Sequence, residues 1–365
     1  MKVVMVPSVS GGIGHISRAA TLARALRRLD PSAGVEMVLD AERLRPFNID
    51  AALGMGYRPR LMPPRTPESR GPIVRACLGD ADVIVDDVAR YLLPLRHHVP
   101  DAAWVSVAMH PIGDELFMDW PLMAQMDAVF WPYPQAVAMP EELAIVADRV
   151  VRTGPFLDVD DVPDRATARH RLHLPSGPLL VYAPRGFPFG AEFGHRVLGA
   201  LFAAAARLRQ TVHPDLRLQL LAVRDPAELR SVDGVPAELP PWVSVLGIQS
   251  QADTLLFQRA ADVLVAEGTS TIHEGAALCT PMLIVPGPIR EIELLAAALD
   301  RAGAAAVVPI ERVSAERLAG VLEGLLGEDG AGMAVRAAGM VRGGGGVMQA
   351  ARTILEIHAR RRGGR

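Results

Sequence analysis

Two glycine-containing segments constrain the fold of this chain more than any other feature. The first covers residues 11–18, with the sequence GGIGHISR, and the second covers residues 267–274, with the sequence EGTSTIHE. Each follows an apolar run of strand type and opens a run with helical spacing. A tight turn at that point places backbone N–H groups at a helix N-terminus, where anions bind. The pair of segments therefore predicts two α/β units, each with a ligand-binding turn.

The length of the chain and its alternating pattern also predict two domains. The 365 residues, half of them hydrophobic, suffice for two cores. Strand-like runs alternate with helical spacing, which is typical of a parallel sheet covered on both faces. These runs are 3–6, 35–39, 83–85, 104–108, 179–183, 216–223, 243–246, 263–266, 282–285 and 305–308. We interpret the acidic, turn-rich residues 158–164 as a linker, and we expect domains at 1–155 and 156–345 with a last helix over 346–365.

Charge and cysteine content exclude several classes of protein. There are 38 basic and 41 acidic residues, so a broad cationic surface for nucleic acid is not expected. Two distant cysteines, Cys77 and Cys279, predict neither a disulfide framework nor a zinc site. The first apolar run is too short for a signal peptide, and no run is long enough to span a bilayer. We expect a cytoplasmic protein.

The second segment has the features of a nucleotide site. Gly268 permits close backbone approach, while Ser270 and Thr271 offer hydroxyl and N–H groups to a phosphate. Glu274 lies one helical turn further on, where its carboxylate can accept hydrogen bonds from both hydroxyls of a ribose. The alternative is an ordinary N-capped helix packed beneath its sheet.

In the first segment, His15 directly follows Gly14 at the predicted start of a helix. A neutral imidazole there can take a proton from an attacking hydroxyl or bind a phosphate. A general base needs an orienting acid, and Asp86 or Asp87, after the strand run 83–85, is placed to be one. The alternative is that His15 only caps its helix. We interpret Arg18 as a solvated or helix-stabilising residue.

The two segments also resemble a known family. The pattern GxGHxxRxxxLAxxL at 12–26 and the stretch 261–286 are similar to two-domain nucleotide-sugar glycosyltransferases of the GT-B fold, above all the MurG type. UDP-sugar hydrolases of the PseG type share the first motif. The resemblance implies an α/β fold of two facing Rossmann-like domains with an interdomain cleft. It also implies no obligatory metal and a C-terminal helix that crosses back to the N-terminal domain.

The resemblance implies roles for particular residues. His15 matches the base or phosphate contact, in a cleft loop with Gly12 and Gly14. The implied donor-nucleotide residues are Arg185 and Gly186 near the diphosphate, Ile248 at the base, the turn Gly268, Thr269, Ser270 and Thr271, and Glu274 at the ribose. Arg290, Glu291 and Ile292 match the segment near the donor sugar. Relatives often have glutamine where Ile292 stands and asparagine where Leu295 stands, so we expect a deoxy or modified donor sugar.

Aromatic residues between the first motif and the predicted linker suggest an acceptor site. His110, Phe117 and Trp120 belong to this region, which predicts an apolar acceptor pocket or a patch that touches a membrane or carrier lipid. The alternative is an ordinary core with a proline-rich loop. Nearby acidic residues argue against deep membrane insertion, so at most a peripheral membrane contact is expected.

The sequence therefore favours a glycosyltransferase that moves a sugar from a UDP- or dTDP-sugar to an acceptor hydroxyl. The acceptor would be a small molecule, a natural product or a lipid-linked compound, and the nucleotide sugar would be a co-substrate with no further cofactor. Two alternatives remain open. One is a nucleotide-sugar hydrolase of the PseG kind, and the other is a non-catalytic protein that binds nucleotide sugars.

Overall fold

The structure is a computed structural model that describes residues 1–9, 13–110, 120–184, 191–221, 226–247, 249–343 and 345–363, with the backbone alone at 90, 91, 120, 191 and 226–228. Its contacts divide the chain into two compact units. Unit 1 comprises Met1–Asp158 and Arg342–Arg365, and unit 2 comprises Val159–Val341. Each unit contains a parallel sheet, so the prediction of two α/β units is confirmed.

In the described part of unit 1, seven strands form one parallel sheet. They are β1 (Lys2–Pro7), β2 (Gly34–Asp40), β3 (Arg60–Met62), β4 (Val83–Asp87), β5 (Ala103–Val107), β6 (Ala128–Trp131) and β7 (Val150–Arg152). Their order is β3-β2-β1-β4-β5-β6-β7, and Val3 of β1 pairs with Val35 on one side and Val83 on the other. The strand order therefore reverses between β1 and β4. In open α/β sheets, ligands bind beside the carboxyl ends of the strands at such a reversal.

The sequence pattern did not predict three of these strands, β3, β6 and β7. β3 and β7 are only three residues long and form the two edges of the sheet, where most of their side chains are partly or fully exposed. β6 is four buried residues inside the aromatic region. In runs of three or four residues the alternation of apolar and polar side chains is too short to distinguish a strand from a loop or from other buried sequence.

The helices of unit 1 begin with α1 (Gly14–Leu29), which covers one face of the sheet. Its buried positions include Ile16, Leu22 and Leu26, spaced so that one stripe of the helix faces the core. The other helices before residue 158 are α2 (Pro46–Gly54), α3 (Arg70–Leu78) and α4 (Trp120–Met123), with 3₁₀ segments at Arg90–His98 and Glu141–Arg149. Helical spacing in the sequence over residues 91–97 suggests a helix there, but the structure has a 3₁₀ segment, which contains Pro94.

Unit 2 has the same plan with six strands among the residues described. They are β8 (Leu179–Ala183), β9 (Arg217–Leu221), β10 (Val243–Gly247), β11 (Val263–Ala266), β12 (Met282–Ile284) and β13 (Ala306–Val307), all parallel, in the order β10-β9-β8-β11-β12-β13. The reversal of strand order lies between β8 and β11. The second glycine-containing segment begins where β11 ends, so it lies at this reversal.

Seven α-helices accompany this sheet in the described ranges. They are α5 (Arg165–Arg171), α6 (Ala191–Thr211), α7 (Gln251–Ala260), α8 (Thr269–Ala277), α9 (Arg290–Arg301), α10 (Ala315–Leu326) and α11 (Glu328–Val341). α8 lies unusually close to the sheet. A Cβ atom on Gly275 would come within 2.4 Å of Leu264 Cδ2 and 2.9 Å of Met282 Sδ, so only glycine fits there without movement of these side chains.

The acidic segment predicted as a linker is partly fixed by specific contacts. Asp158 Oδ2 accepts a hydrogen bond from Arg24 Nε at 2.5 Å, and its Oδ1 lies 2.9 Å from Arg28 Nη1, so this acid is tied to α1. Asp164 caps α5, because its Oδ1 accepts from the Thr167 N–H at 2.9 Å. The division between the units falls directly after Asp158.

The last helix, α12 (Gly346–Gly363), packs on α1 within unit 1. Its buried side chains join the same core as those of α1, and they are Val347, Ala350, Ala351, Ile354 and Ile357. The Gly346 N–H donates to the Thr153 carbonyl at 2.8 Å, and its φ of 54° favours glycine. Within the ranges described, no helix has both the length and the apolar composition needed to cross a bilayer.

Removing one of these α12 side chains tests how much the helix contributes to unit 1. Ile354 is fully buried, so we expect Ile354→Ala to lower the free energy of unfolding by about 2–5 kcal/mol through lost burial and a residual cavity. Glu356→Ala, at an exposed position of the same helix, is expected to change it by less than about 0.5 kcal/mol. Urea unfolding followed by circular dichroism measures both. Equal effects of the two variants would contradict a core role for α12.

Candidate functional site

The structure of unit 1 brings His15 and Asp87 together. His15 lies in the first turn of α1, and Asp87 is the last residue of β4, where it pairs with Pro7 of β1. His15 Nδ1 is 3.0 Å from Asp87 Oδ1. The His15 side chain is 20% exposed and that of Asp87 is 4% exposed, so the histidine reaches solvent while the acid is buried beneath it.

Arg18 completes this group, and of the two interpretations made from the sequence, a solvated residue was wrong. Its Nε donates to Asp87 Oδ2 at 2.8 Å and its Nη2 donates to Asp87 Oδ1, which makes a bidentate pair. The side chain is only 19% exposed, so Arg18 is not a solvated residue. Arg18 and Asp87 border a small cavity whose other walls are mostly apolar, including Leu22 and Phe156. Low polarity around an ion pair strengthens it.

Asp86 has a different role from its neighbour, because successive strand residues face opposite sides of the sheet. Its Oδ1 accepts from the Ala89 N–H at 2.9 Å, and its Oδ2 accepts from Ser106 Oγ at 3.1 Å. The side chain is fully buried. Of the two acids that the sequence offered as orienting partners for His15, the structure therefore places Asp87 in contact with it.

The pKa values of the two adjacent acids, Asp86 and Asp87, are shifted in opposite directions. Burial raises the pKa of Asp86 from 3.8 to about 7, and the Asp87 charge adds to this against the hydrogen bonds from Ser106 and Ala89. Burial also acts to raise the pKa of Asp87, but the Arg18 guanidinium and His15 outweigh it and lower the pKa to about 2. Near neutral pH Asp87 is therefore a carboxylate, while Asp86 is partly protonated.

Asp86 should make the stability of the protein depend on pH. A carboxyl whose pKa is raised on folding contributes stability that is fully present below pH 3.8 and is lost as the pH rises through about 7. We expect Asp86→Asn to remove this decline, which amounts to at most about 1.4 kcal/mol per pH unit. Urea unfolding between about pH 4 and pH 7 tests this, with exposed Asp148→Asn as the control. A decline that persists unchanged in Asp86→Asn would contradict the assignment.

The structure describes some of the other predicted site residues of unit 1, and the rest lie outside the described ranges. Gly14 is the first residue of α1, whereas Gly12 and Phe117 are not described, and Trp120 is described by its backbone alone. His110 is buried against Trp131 and Tyr133, with ring centroids 5.0 and 5.8 Å away. This packing agrees with the core alternative for the aromatic region, and the acceptor contact stays a prediction.

In unit 2, α8 begins without a side-chain cap. Gly268 occupies the N-cap position in an extended conformation, and it has no side chain to satisfy the N–H groups of the first turn. Ser270 is exposed there, and Thr269 and Thr271 are partly exposed. The structure thus shows no side-chain cap on this helix, while its close packing on the sheet agrees with the other part of that alternative, so the phosphate site stays a prediction. Uncapped N–H groups at a helix N-terminus suit an anion.

Glu274 lies one turn further along α8 and is held by a residue from another helix. Its Oε2 accepts a hydrogen bond from Gln258 Nε2 of α7 at 2.9 Å. Burial raises the pKa of Glu274 from 4.5 to about 7, against the opposing effect of Gln258. Gln258 is itself fully buried, and its Oε1 has no hydrogen-bond partner among the described residues. No sequence motif points to Gln258, because it lies in a separate helix, α7.

A buried hydrogen bond between Glu267 and Tyr182 fixes the turn before α8. Glu267 follows β11 and is buried, and it accepts a hydrogen bond from the Tyr182 hydroxyl of β8. Burial and the adjacent Glu267 raise the pKa of Tyr182 well above 10.0, so the tyrosine remains a donor. This bond crosses the strand-order reversal of unit 2 and fixes the residue that leads into Gly268.

The predicted donor-sugar segment is mostly buried. Arg290 is exposed and lies 3.7 Å from Glu293, but Glu291 is buried and Ile292 is only 2% exposed. Ile292 and Leu295 complete the buried face of α9, so packing explains why both are apolar. A sugar could reach Ile292 only if its neighbours moved. The deoxy-sugar preference inferred from Ile292 therefore has no support in the structure.

Arg185, Gly186 and Ile248 lie outside the described residues, so their implied contacts stay predictions. Among the residues that are described, no group of three or more histidine, cysteine, aspartate or glutamate side chains is arranged to hold a metal ion.

Comparison with known proteins places this geometry in context. No family model matches the chain. A curated relative, the UDP-N-acetylglucosamine--N-acetylmuramyl-(pentapeptide) pyrophosphoryl-undecaprenol N-acetylglucosamine transferase of Chelativorans sp. (strain BNC1), is 33% identical over 147 residues. The match covers 38% of this chain and 37% of the relative, so the chain matches well under half of the relative's length.

Two solved structures are similar over nearly the whole chain. Glycosyltransferase VinC in complex with dTDP is 15% identical with a TM-score of 0.65, and the match covers 99% of this chain and 100% of VinC. A putative UDP-N-acetylglucosamine 2-epimerase from Listeria monocytogenes is 14% identical with a TM-score of 0.67, covering 98% and 96%. At these identities the likeness shows the fold. The chain has the two-domain α/β fold of GT-B glycosyltransferases, which confirms the two Rossmann-like domains that the sequence resemblance implied.

Proposed function

We propose that this protein is a glycosyltransferase that moves a sugar from a UDP- or dTDP-sugar to an acceptor hydroxyl. The observation that carries the proposal is the contact between His15 Nδ1 and Asp87 Oδ1 at the strand-order reversal of unit 1. A partly exposed imidazole with a buried carboxylate on its other nitrogen is the arrangement of a general base. The curated relative is a sugar transferase by name, and VinC is a glycosyltransferase with bound dTDP.

The donor would bind to unit 2. The uncapped N–H groups at the start of α8 would receive the diphosphate, and Glu274 would accept hydrogen bonds from the ribose hydroxyls. Gln258 holds one oxygen of Glu274, which leaves the other for the ribose. Arg185 and Gly186 near the diphosphate, and Ile248 at the base, complete the proposed donor contacts.

The proposed reaction needs one proton transfer. The acceptor oxygen forms a bond to the anomeric carbon while the bond from that carbon to the diphosphate oxygen breaks. The hydroxyl proton moves to His15 Nε2, and the electron pair of the broken bond leaves on the diphosphate. The N-terminus of α8 would stabilise the negative charge of the departing diphosphate. A nucleotide sugar is thus the co-substrate, and no metal takes part in the proposed steps.

The acceptor is proposed as a class: a small molecule, a natural product or a lipid-linked compound. The lipid-linked possibility has support from the curated relative, whose name specifies a pyrophosphoryl-undecaprenol acceptor. We also propose a cytoplasmic location with at most peripheral membrane contact, which is compatible with a lipid-linked acceptor.

Incubation of the full chain with UDP- and dTDP-sugars, with and without a panel of hydroxylated acceptors, tests the function. Release of nucleoside diphosphate and acceptor mass together report the result. Transfer that depends on an acceptor supports the proposal. Equal release of free sugar without acceptor would indicate a hydrolase, and a changed sugar on intact nucleotide would indicate an epimerase. Binding without any turnover would indicate an accessory protein, so each of these three outcomes would overturn the proposal.

The role of His15 gives the first functional prediction. His15→Ala should lower kcat about 100-fold or more, the usual range for lost proton transfer, and leave donor affinity within a fewfold. His170→Ala, at an exposed position of α5, is the matched control and should change neither. Steady-state kinetics and calorimetry measure the two quantities. A loss of donor affinity as steep as the loss of kcat would make His15 a phosphate ligand and not a base.

Glu274 gives a prediction about pH. Only the ionised carboxylate accepts hydrogen bonds at both oxygens, so donor affinity should fall below about pH 7, by up to about tenfold per pH unit. UDP-glucose is a suitable probe, because its esterified diphosphate does not titrate near pH 6. Glu274→Gln should abolish this dependence, and Glu274→Ala should cost about 1–3 kcal/mol at pH 8.

Calorimetry at about pH 6 and pH 8 measures these affinities, with exposed Glu316→Gln as the control. An affinity of wild type that does not depend on pH, together with unchanged binding in Glu274→Ala, would remove Glu274 from the donor site.

A further inference from the structure

β4 leaves the sheet through a strained residue, Val88. Its φ is 62°, in the left-handed region, and its side chain is buried. Glycine adopts that conformation readily, whereas a β-branched residue such as valine does so only rarely. A residue in such a conformation persists only where its surroundings hold it there, and such residues cluster at functional sites. Val88 directly follows Asp87, so the strain lies next to the contact between Asp87 and His15.

Two hydrogen bonds hold the chain on either side of Val88. Before it, the Asp87 carbonyl accepts from the Ser8 N–H at 2.8 Å. After it, the Ala89 N–H donates to Asp86 Oδ1 at 2.9 Å. The second bond closes a turn of four residues, because the side chain of Asp86 reaches forward to the N–H three positions along the chain. The conformation of Val88 is therefore constrained from both ends.

The acid that closes this turn is itself held in place. Ser106 lies opposite Asp86 in the register of β4 and β5, and its Oγ donates to Asp86 Oδ2 at 3.1 Å. Asp86 and Ala89 are both buried. Without the carboxyl group, the Ala89 N–H would be a buried donor with no acceptor unless the turn opened. Relief of the strain at Val88 favours the same opening, so the turn depends on Asp86.

Asp87 lies inside this turn, between Asp86 and Val88. Its carboxylate is 3.0 Å from His15 Nδ1 and accepts from Arg18 Nε at 2.8 Å. Both distances are those of ordinary hydrogen bonds, and a displacement of about 1 Å would take them beyond the usual range. An open turn would free the chain that follows Asp87, and it would allow such a displacement.

We propose that Asp86 is a positioning residue for the end of β4. By holding the Ala89 N–H, it keeps Val88 in its left-handed conformation. The closed turn then keeps Asp87 in contact with His15. The catalytic meaning of this role rests on the proposed function, because there His15 receives the acceptor proton. The alternative is that Asp86 only joins β4 to β5, and such a role would not depend on which residue follows Asp87.

Crystal structures of variants of the full chain test the proposal without any substrate. In Asp86→Ala we expect Val88 to leave its left-handed conformation and the contact between Asp87 and His15 to open. Asp86→Asn keeps an oxygen that can accept from the same N–H, so the turn should stay closed. Ser106→Ala removes only the bond to β5 and should also leave the turn closed. A left-handed Val88 with an intact contact in Asp86→Ala would overturn the proposal.

A second substitution separates the turn from general stability. Glycine adopts a left-handed conformation without strain, so Val88→Gly added to Asp86→Ala should restore the contact at least in part. Cys279 of unit 2 has a φ of 57°, so Cys279→Gly relieves a similar strain elsewhere and is the matched control. Added to Asp86→Ala, it should restore nothing. No restoration by Val88→Gly, or equal restoration by both glycines, would contradict the proposed role of the turn.

Hydrogen exchange in wild type decides whether the turn is held even if Asp86→Ala does not fold. The Ala89 N–H should exchange slowly, at a rate close to those of amides bonded inside the sheet, because its acceptor is fixed and buried. Exchange at the rate of an unprotected amide would mean that Asp86 does not hold this N–H. That result would overturn the proposal.

Kinetics separate this proposal from the proposed function. If transfer is found, Asp86→Ala should lower kcat about 10- to 100-fold, the cost of a displacement of about 1 Å, and leave donor affinity within a fewfold. Asp86→Asn should retain most of the wild-type kcat. If the structures are as expected but no sugar is transferred, the role of Asp86 in the turn stands and the proposed function fails. If transfer is found but Asp86→Ala retains its kcat, the proposed function stands and the role of Asp86 fails.

Discussion

A parallel sheet whose strand order reverses leaves a crevice beside the carboxyl ends of two strands, and this constraint organises both units of the protein. In unit 1 the reversal lies between β1 and β4, and in unit 2 it lies between β8 and β11. The loops that leave these strands lead directly into α1 and α8. Each helix therefore begins at the crevice, and the side chains of its first turns are held there by the sheet.

The two crevices differ in how their acids are held. In unit 1, Asp87 is ionised because a bidentate arginine offsets its burial, and the resulting carboxylate orients a histidine. Among the described residues of unit 2, the neutral amide of Gln258 is the group that holds Glu274, and burial brings the pKa of Glu274 to about 7. A fixed carboxylate suits the support of a base. A carboxyl group with a pKa near neutral pH can ionise when a ligand donates hydrogen bonds to it, as the ribose hydroxyls would to Glu274.

Asp86 and Asp87 show how strongly the surroundings decide the behaviour of a side chain. They are neighbours in sequence, at the end of one strand, yet their pKa values lie on opposite sides of 3.8. The pleat of the strand turns Asp86 toward Ser106 and Asp87 toward α1. Only Asp87 meets a cation, so only Asp87 stays charged against the cost of burial.

The sequence by itself determined the α/β class, the two glycine-containing turns, the fold resemblance and the pairing of His15 with an acid after the strand at 83–85. These features are local, because apolar periodicity and turn residues act within a few positions of the chain. Only the tertiary structure decided that the acid is Asp87, that Arg18 joins it from 69 residues away, and that Gln258 holds Glu274. It also decided that Ile292 is buried. Such contacts depend on which elements pack together and which way each side chain points, and neither is encoded within a single segment.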